Sequence, residues 1–90
     1  MLIRICTEDT NSERTRELTS EYFDGFTLLR GMGVWKGKLE PSLIIEITTE
    51  NNVAPTVYDA KIEALVDLIK RENKQECVLV QYINSHNLFL

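Results

Sequence analysis

Ninety residues are one domain's worth of chain, and 43% hydrophobic with 27% charged describes a chain that folds rather than a disordered one. Ten Lys plus Arg against fourteen Asp plus Glu leave a net charge of -4, which argues against a general binder of nucleic-acid polymers, whose phosphate contacts need a basic face. No apolar run approaches the roughly 20 residues of a membrane span, and Arg4 interrupts the N-terminal apolar stretch, so neither a membrane segment nor a signal peptide is expected. Cys6 and Cys77 are too few for a disulfide scaffold and lack metal-site spacing. The expectation is a reduced, cytoplasmic, single-domain chain over residues 1–90, with no metal and no cofactor assigned.

Leu2 to Thr7 is β-branched and alternates, with Ile3 and Ile5 on one face. A polar turn from Glu8 to Ser12 is rich in N-cap residues and leads into a helix over Ser12 to Tyr22. That helix has a thin apolar face of Leu18, Tyr22 and Thr15, and Glu13, Glu17 and Glu21 repel at i,i+4. Asp24-Gly25 stops it, with Gly25 in position for a left-handed cap. Phe26 to Trp35 reads as the second strand, in which Gly31 and Gly33 signal a bulge or a close approach to the backbone. Lys36 to Pro41 reads as a hairpin-like connection, and Ser42 to Thr49 as the clearest strand, with Leu43, Ile45 and Ile47 alternating.

Pro55 suits the first turn of a helix running to Glu72, whose buried stripe is Tyr58, Ile62, Leu65, Val66 and Ile69. Asp67 is spaced to pair with Lys70 or Arg71. Cys77 to Ile83 forms the last strand, and residues 84–90 are an apolar tail ending in Leu88-Phe89-Leu90.

The order β-α-β-β-α-β is that of the ferredoxin-like split βαβ motif. Right-handed crossovers then require an α+β fold with a four-stranded antiparallel sheet in order 4-1-3-2 and both helices on one face. If Ile3, Ile5, Leu43, Ile45 and Ile47 face the helices, Leu2, Arg4, Cys6, Ile44, Glu46 and Thr48 face away, with Arg4 beside Glu46. The last strand supplies apolar residues to whichever face it presents. Leu2, Ile44, Glu46, Val80 and Tyr82 are therefore the candidate interface of a homo-oligomer, a dimer or higher. A ligand groove on that face and simple scatter of apolar residues are the alternatives.

Little in the chain resembles a catalytic set. His86 sits in the tail with no nucleophile or second histidine nearby, and Cys6 and Cys77 read as small buried residues rather than a redox pair. Glu8-Asp9 with Arg14 and Arg16 forms a charged cluster that reads as capping and loop solvation, or as a site that orients a substrate. The segment Arg30 to Lys38 stands apart, with three basic residues, no acid, three of the four glycines and the one tryptophan. Glycines admit close approach, Arg and Lys favour anions, and Trp offers a stacking plane. Arg30, Trp35, Lys36 and Lys38, assisted by Arg14 or Arg4, are therefore the candidate residues for a small anionic, nucleotide-like ligand. The plain alternative is a bulged hairpin whose Trp35 packs on the core and whose lysines protect an edge strand.

Tyr22-Phe23-Asp24-Gly25-Phe26-Thr27, Gly33-Val34-Trp35-Lys36-Gly37 and Glu40-Pro41-Ser42, with the opening Thr7-Glu8-Asp9, resemble small bacterial and prophage proteins carrying a YF-x-GFT, G-x-W-x-G, E-x-S pattern. The resemblance implies a ferredoxin-like α+β fold and brings no catalytic residues. Phage origin would add an analogy to small oligomeric phage proteins that sequester nucleotide signals of host defence. The expectation is an oligomeric binding protein acting in the host cytoplasm. Its alternatives are a module that blocks a host protein and a small dimeric enzyme with Glu8, Asp9 or Glu46 as general base.

Overall fold

The computed structural model describes residues 1–49, 56–75 and 78–83. Pro55, Cys77, His86 and the tail Leu88-Phe89-Leu90 lie outside them. The elements follow the expected order: β1 (Leu2–Glu8), α1 (Ser12–Tyr22), β2 (Thr27–Trp35), β3 (Lys38–Thr48), α2 (Thr56–Asn73) and β4 (Leu79–Ile83). The four strands form one antiparallel sheet in the order β2-β3-β1-β4, the ferredoxin-like arrangement.

Alternation in β1 and β3 divides the sheet into two faces. Ile3, Ile5, Ile45 and Ile47 are buried against Leu18 of α1 and Ile62, Leu65 and Ile69 of α2, and this cluster is the core. Burying a side chain of this size is worth roughly 1.5–3 kcal/mol relative to leaving it exposed. Leu2, Arg4, Cys6, Ile44 and Glu46 occupy the outer face at half-buried positions. Arg4 lies directly opposite Glu46, as the alternation predicts, with its Nη2 3.8 Å from the Glu46 carboxylate. The buried Nε of Arg4 has no hydrogen-bond partner among the described residues.

α1 buries little hydrocarbon, and threonines make up the difference. Thr15 and Thr19 are both buried, their hydroxyls donating to the carbonyls of Asn11 and Thr15. Asn11 caps the helix, its side chain accepting from the Arg14 N–H at 3.1 Å. The expected acid repulsion is relieved because Glu13 pairs with Arg16 and Glu17 with Arg14. Gly25 does not act as a left-handed cap. Phe23 ends the helix in extended conformation, with its N–H on the Thr19 carbonyl and its ring in the core, and Gly25 has no positive φ. Asp67 does not pair with Lys70 or Arg71 among the described residues.

Two corrections concern the β2–β3 hairpin. Its register runs unbroken from Thr27 opposite Glu46 to Trp35 opposite Lys38, so the glycines mark no bulge. The connection is two residues rather than six: Lys36 (φ 49°) and Gly37 (φ 77°) both adopt the left-handed conformation of a type I′ turn. The hairpin therefore outruns β1, whose pairing with β3 stops at Glu8 opposite Ser42. Residues 32–41 project as a two-stranded arm beyond the body of the sheet.

A third correction concerns β4. Its pairing sets Val80 opposite Ile5 and Tyr82 opposite Ile3, on the helix side, so neither stands with Leu2, Ile44 and Glu46. Val80 packs against the core and the Tyr82 hydroxyl donates to Asp59 of α2 at 2.9 Å. Leu79, Gln81 and Ile83 take the outer face instead.

Candidate functional site at the foot of the arm

The outer face of the β2–β3 hairpin has two gaps in its side chains, at Gly31 and Gly33. Leu28 packs on the core, so alternation turns Leu29, Gly31, Gly33 and Trp35 outward, beside Ile44, Ser42, Glu40 and Lys38 of β3. A methyl group at Gly31 would stand 3.5 Å from Ile44 Cδ1, and one at Gly33 only 3.1 Å from Ser42 Oγ. The two glycines thus form a flat floor flanked by Leu29 at the root, 44% exposed, and Trp35 at the tip. Of the two meanings expected of these glycines, a bulge or a close approach to the backbone, the unbroken register excludes the first, and what they supply is a gap in the side chains of this face.

Where the arm leaves the sheet, the floor meets two adjoining clefts. One, of 390 Å³, is lined by Glu8, Asp9, Thr10, Glu40 and Pro41. The other, of 260 Å³, lies on the outer face and is lined by residues including Cys6, Glu8, Glu40, Ser42, Gln75 and Leu79. Glu8 and Glu40 border both. The Asp9 N–H donates to the Pro41 carbonyl at 3.1 Å, which holds the β1–α1 loop to the arm.

A polar network braces this corner from below. The Thr7 hydroxyl donates to the Gln75 side-chain oxygen, and the Thr10 hydroxyl donates to Asn73 Oδ1 at 2.7 Å. The Asn73 amide donates to Thr7, to the Glu8 carbonyl and to Gln75. The end of β1 is thereby tied to the end of α2, so Glu8 and Asp9 stand on a braced support.

The carboxylates of Glu8, Asp9 and Glu40 dominate the corner electrostatically. Among the described residues Asp9 has one counter-charge, Arg30 Nε at 3.6 Å, and Arg30 also donates to the Ser12 hydroxyl at 3.0 Å. Carboxylates are pure acceptors suited to ribose hydroxyls or to a cation, and they repel phosphate. Among the described residues no group of three His, Cys, Asp or Glu has the geometry to hold a metal ion.

The six sequence candidates for ligand binding do not converge on one spot within a single chain. Arg4 is paired with Glu46 in mid-sheet. Arg14 is held by Glu17 and Glu72 at 3.1 and 3.3 Å, and these acids favour its charged form still further. Arg30 lies on the helix side of β2, in a cleft with Ser12, Glu13, Arg16, Leu28 and Leu43. Trp35, Lys36 and Lys38 do come together at the tip, the Lys36 ammonium 5.9 Å from the Trp35 ring centroid. Trp35 is 64% exposed and does not pack on the core.

Sequence reading passed over Glu40, Ser42, Asn73 and Gln75. For the first two a signal existed, since they are the E-x-S of the pattern, and the hairpin register sets them on the same face as Gly33 and Trp35. Asn73 and Gln75 carried none: their polar side chains look like any helix end.

No protein-family model and no curated protein matches the chain. Among solved structures it is similar to a phage SAM lyase in complex with S-methyl-5′-thioadenosine, with a TM-score of 0.66 and 19% identity over 88% of this chain and 76% of that one. It is likewise similar to a phage SAM lyase in the apo state, with a TM-score of 0.67 and 20% identity over 88% and 75% of the two chains. At this identity the likeness establishes a shared ferredoxin-like α+β fold.

Proposed function

We propose that the chain is a phage-encoded small-molecule-binding protein that acts as a homo-oligomer, and that its ligand carries an adenosine-type nucleoside. The observation that carries this reading is the glycine floor beside Trp35, meeting a corner lined by Glu8, Glu40 and Ser42. A base lies flat where Gly31 and Gly33 leave no side chain, and the Trp35 ring supplies a stacking plane worth about 1–3 kcal/mol. Ribose hydroxyls donate to the carboxylates of Glu8 and Glu40. The thioadenosine held by the structurally similar phage protein is a ligand of this class.

This reading departs from the anionic ligand expected from the sequence. Arg4, Arg14 and Arg30 are already neutralised by acids, so the corner favours a neutral or cationic nucleoside over a nucleotide phosphate. Calorimetric titration with S-methyl-5′-thioadenosine, SAM and a panel of cyclic nucleotides tests this. The nucleosides without phosphate bind and Trp35→Ala weakens them; binding confined to the cyclic nucleotides, or indifference to Trp35→Ala, overturns it.

A second reading, favoured by the likeness to two lyase structures, is that the same corner turns its ligand over, with Glu8, Asp9 or Glu40 as base. Glu46 is not available for that part, being paired with Arg4 in mid-sheet away from both clefts. Chromatography of SAM incubated with the protein distinguishes catalysis from sequestration.

A further inference from the structure

Among the described residues two apolar surfaces without a partner lie at opposite edges of the sheet, one beside a basic turn and one with an acidic rim, and we propose that they bind each other between copies of the chain. The inference deepens the oligomeric part of the reading above by naming its surfaces, and it does not depend on the ligand.

The first surface is the helix-side face of the arm. Met32, Val34 and Leu39 are 60%, 66% and 69% exposed there, because the arm outruns the helices that cover the rest of that face. The charges at the tip are Lys36, in the turn and 5.9 Å from the Trp35 ring, and Lys38, opposite Trp35, so the basic end adjoins this face from its outer side. Three large apolar side chains on an unsupported ribbon are costly to leave in water and hazardous on an edge strand unless something covers them.

The second surface is a 310 Å³ cleft between α2 and β4. Ile62, Val66 and Val80 line it with hydrocarbon, Glu63 and Asp67 charge its rim, and Tyr82 hydrogen-bonded to Asp59 closes one end. Neither Glu63 nor Asp67 joins an ion pair among the described residues. An apolar cleft with an acidic rim is complementary to an apolar ribbon with a basic tip, and charge complementarity of this kind fixes register and partner choice.

Because β2 and β4 are the two edge strands, one chain cannot close the contact on itself, and a second copy is the occupant. The contact is head-to-tail, so each copy offers an arm to one neighbour and a cleft to the other. The outer face of the arm, with Gly31, Gly33 and Trp35, remains open to a ligand.

Sedimentation velocity on the full chain tests the proposal. The wild type associates, and Lys36→Glu/Lys38→Glu and Glu63→Lys/Asp67→Lys each give monomer. Mixing the two double variants in equal amounts restores association, because an acidic arm then meets a basic cleft. A monomeric wild type overturns the proposal, as does an assembly indifferent to both double variants or a mixture that stays monomeric. A monomeric wild type that associates once residues 84–90 are removed identifies the chain's own tail as the occupant of the cleft and overturns it too. The readout is mass rather than ligand affinity. An assembly of this kind that binds no nucleoside sustains the inference and refutes the ligand reading, and a nucleoside-binding monomer does the reverse.

Discussion

Adding one methyl group at Gly31 separates the stability of the arm from its use as a floor. Gly31 lies in extended strand directly opposite Ser42, and a Cβ there makes ordinary contact with Ile44 Cδ1 at 3.5 Å. Nothing has to move, so Gly31→Ala should be neutral or should stabilise by about 0.4–1 kcal/mol through the lost freedom of the unfolded chain. Gly33→Ala is tighter, since its Cβ would stand 3.1 Å from Ser42 Oγ. That hydroxyl must rotate and lose a long exposed bond to the Glu40 carbonyl at 3.4 Å, which brings the net change close to zero. Both methyl groups rise out of the surface on which the base is placed. Forfeiting a stacked contact worth about 1–3 kcal/mol weakens binding roughly five- to 150-fold. Urea unfolding followed by far-ultraviolet circular dichroism reads stability, because Trp35 is too exposed to report on folding. Calorimetry with S-methyl-5′-thioadenosine reads affinity. Unchanged affinity in a stable Gly31→Ala protein removes the base from this face, and a stability loss above about 1 kcal/mol refutes the register itself.

Leu65→Ala, at a fully buried position, should cost about 2–5 kcal/mol, whereas Leu39→Ala, 69% exposed, should stay within about 0.5 kcal/mol in the monomer; urea midpoints compare them. Lys36→Asn should stabilise by about 0.5–1 kcal/mol, because asparagine tolerates the left-handed turn position that lysine occupies at φ 49°. Partial desolvation against α2 and the bond to Asp59 push the phenol of Tyr82, a side chain still 42% exposed, up to about 12 from its ordinary 10. The native state therefore holds that proton more tightly than the unfolded state does. The stabilisation is complete below pH 10 and is lost as pH rises from there through about 12. A phenolate absorbance titration should show a late step that Tyr82→Phe abolishes.

Local pattern carried most of the architecture. Alternation in Leu2–Thr7 and Ser42–Thr49 assigns Ile3, Ile5, Ile45 and Ile47 to the core and places Arg4 across from Glu46, since a period of two admits one phase when a single face is apolar. The helical stripe of Ile62, Leu65 and Ile69 does the same for α2. In β4 the two phases, Val78-Val80-Tyr82 and Leu79-Gln81-Ile83, are each mostly apolar, so pairing with β1 decided what composition left open. The glycines, the tryptophan and the basic residues of the arm were legible as an unusual segment, but their use was not. A two-residue turn rather than a loop of six makes the segment an overhanging ribbon. Only that ribbon brings Glu40 and Ser42 beside Gly33, on the face that Trp35 flanks, and carries Glu40 to Glu8. The arginines were equally legible as charges, yet their partners lie far along the chain, Arg14 with Glu72 and Arg30 with Asp9. Sequence by itself thus determined the elements and the faces of those with one apolar side, because those depend on near neighbours. The tertiary structure decided which charges remain free and where the carboxylates gather, because ion pairing and strand register join residues that sequence spacing does not relate.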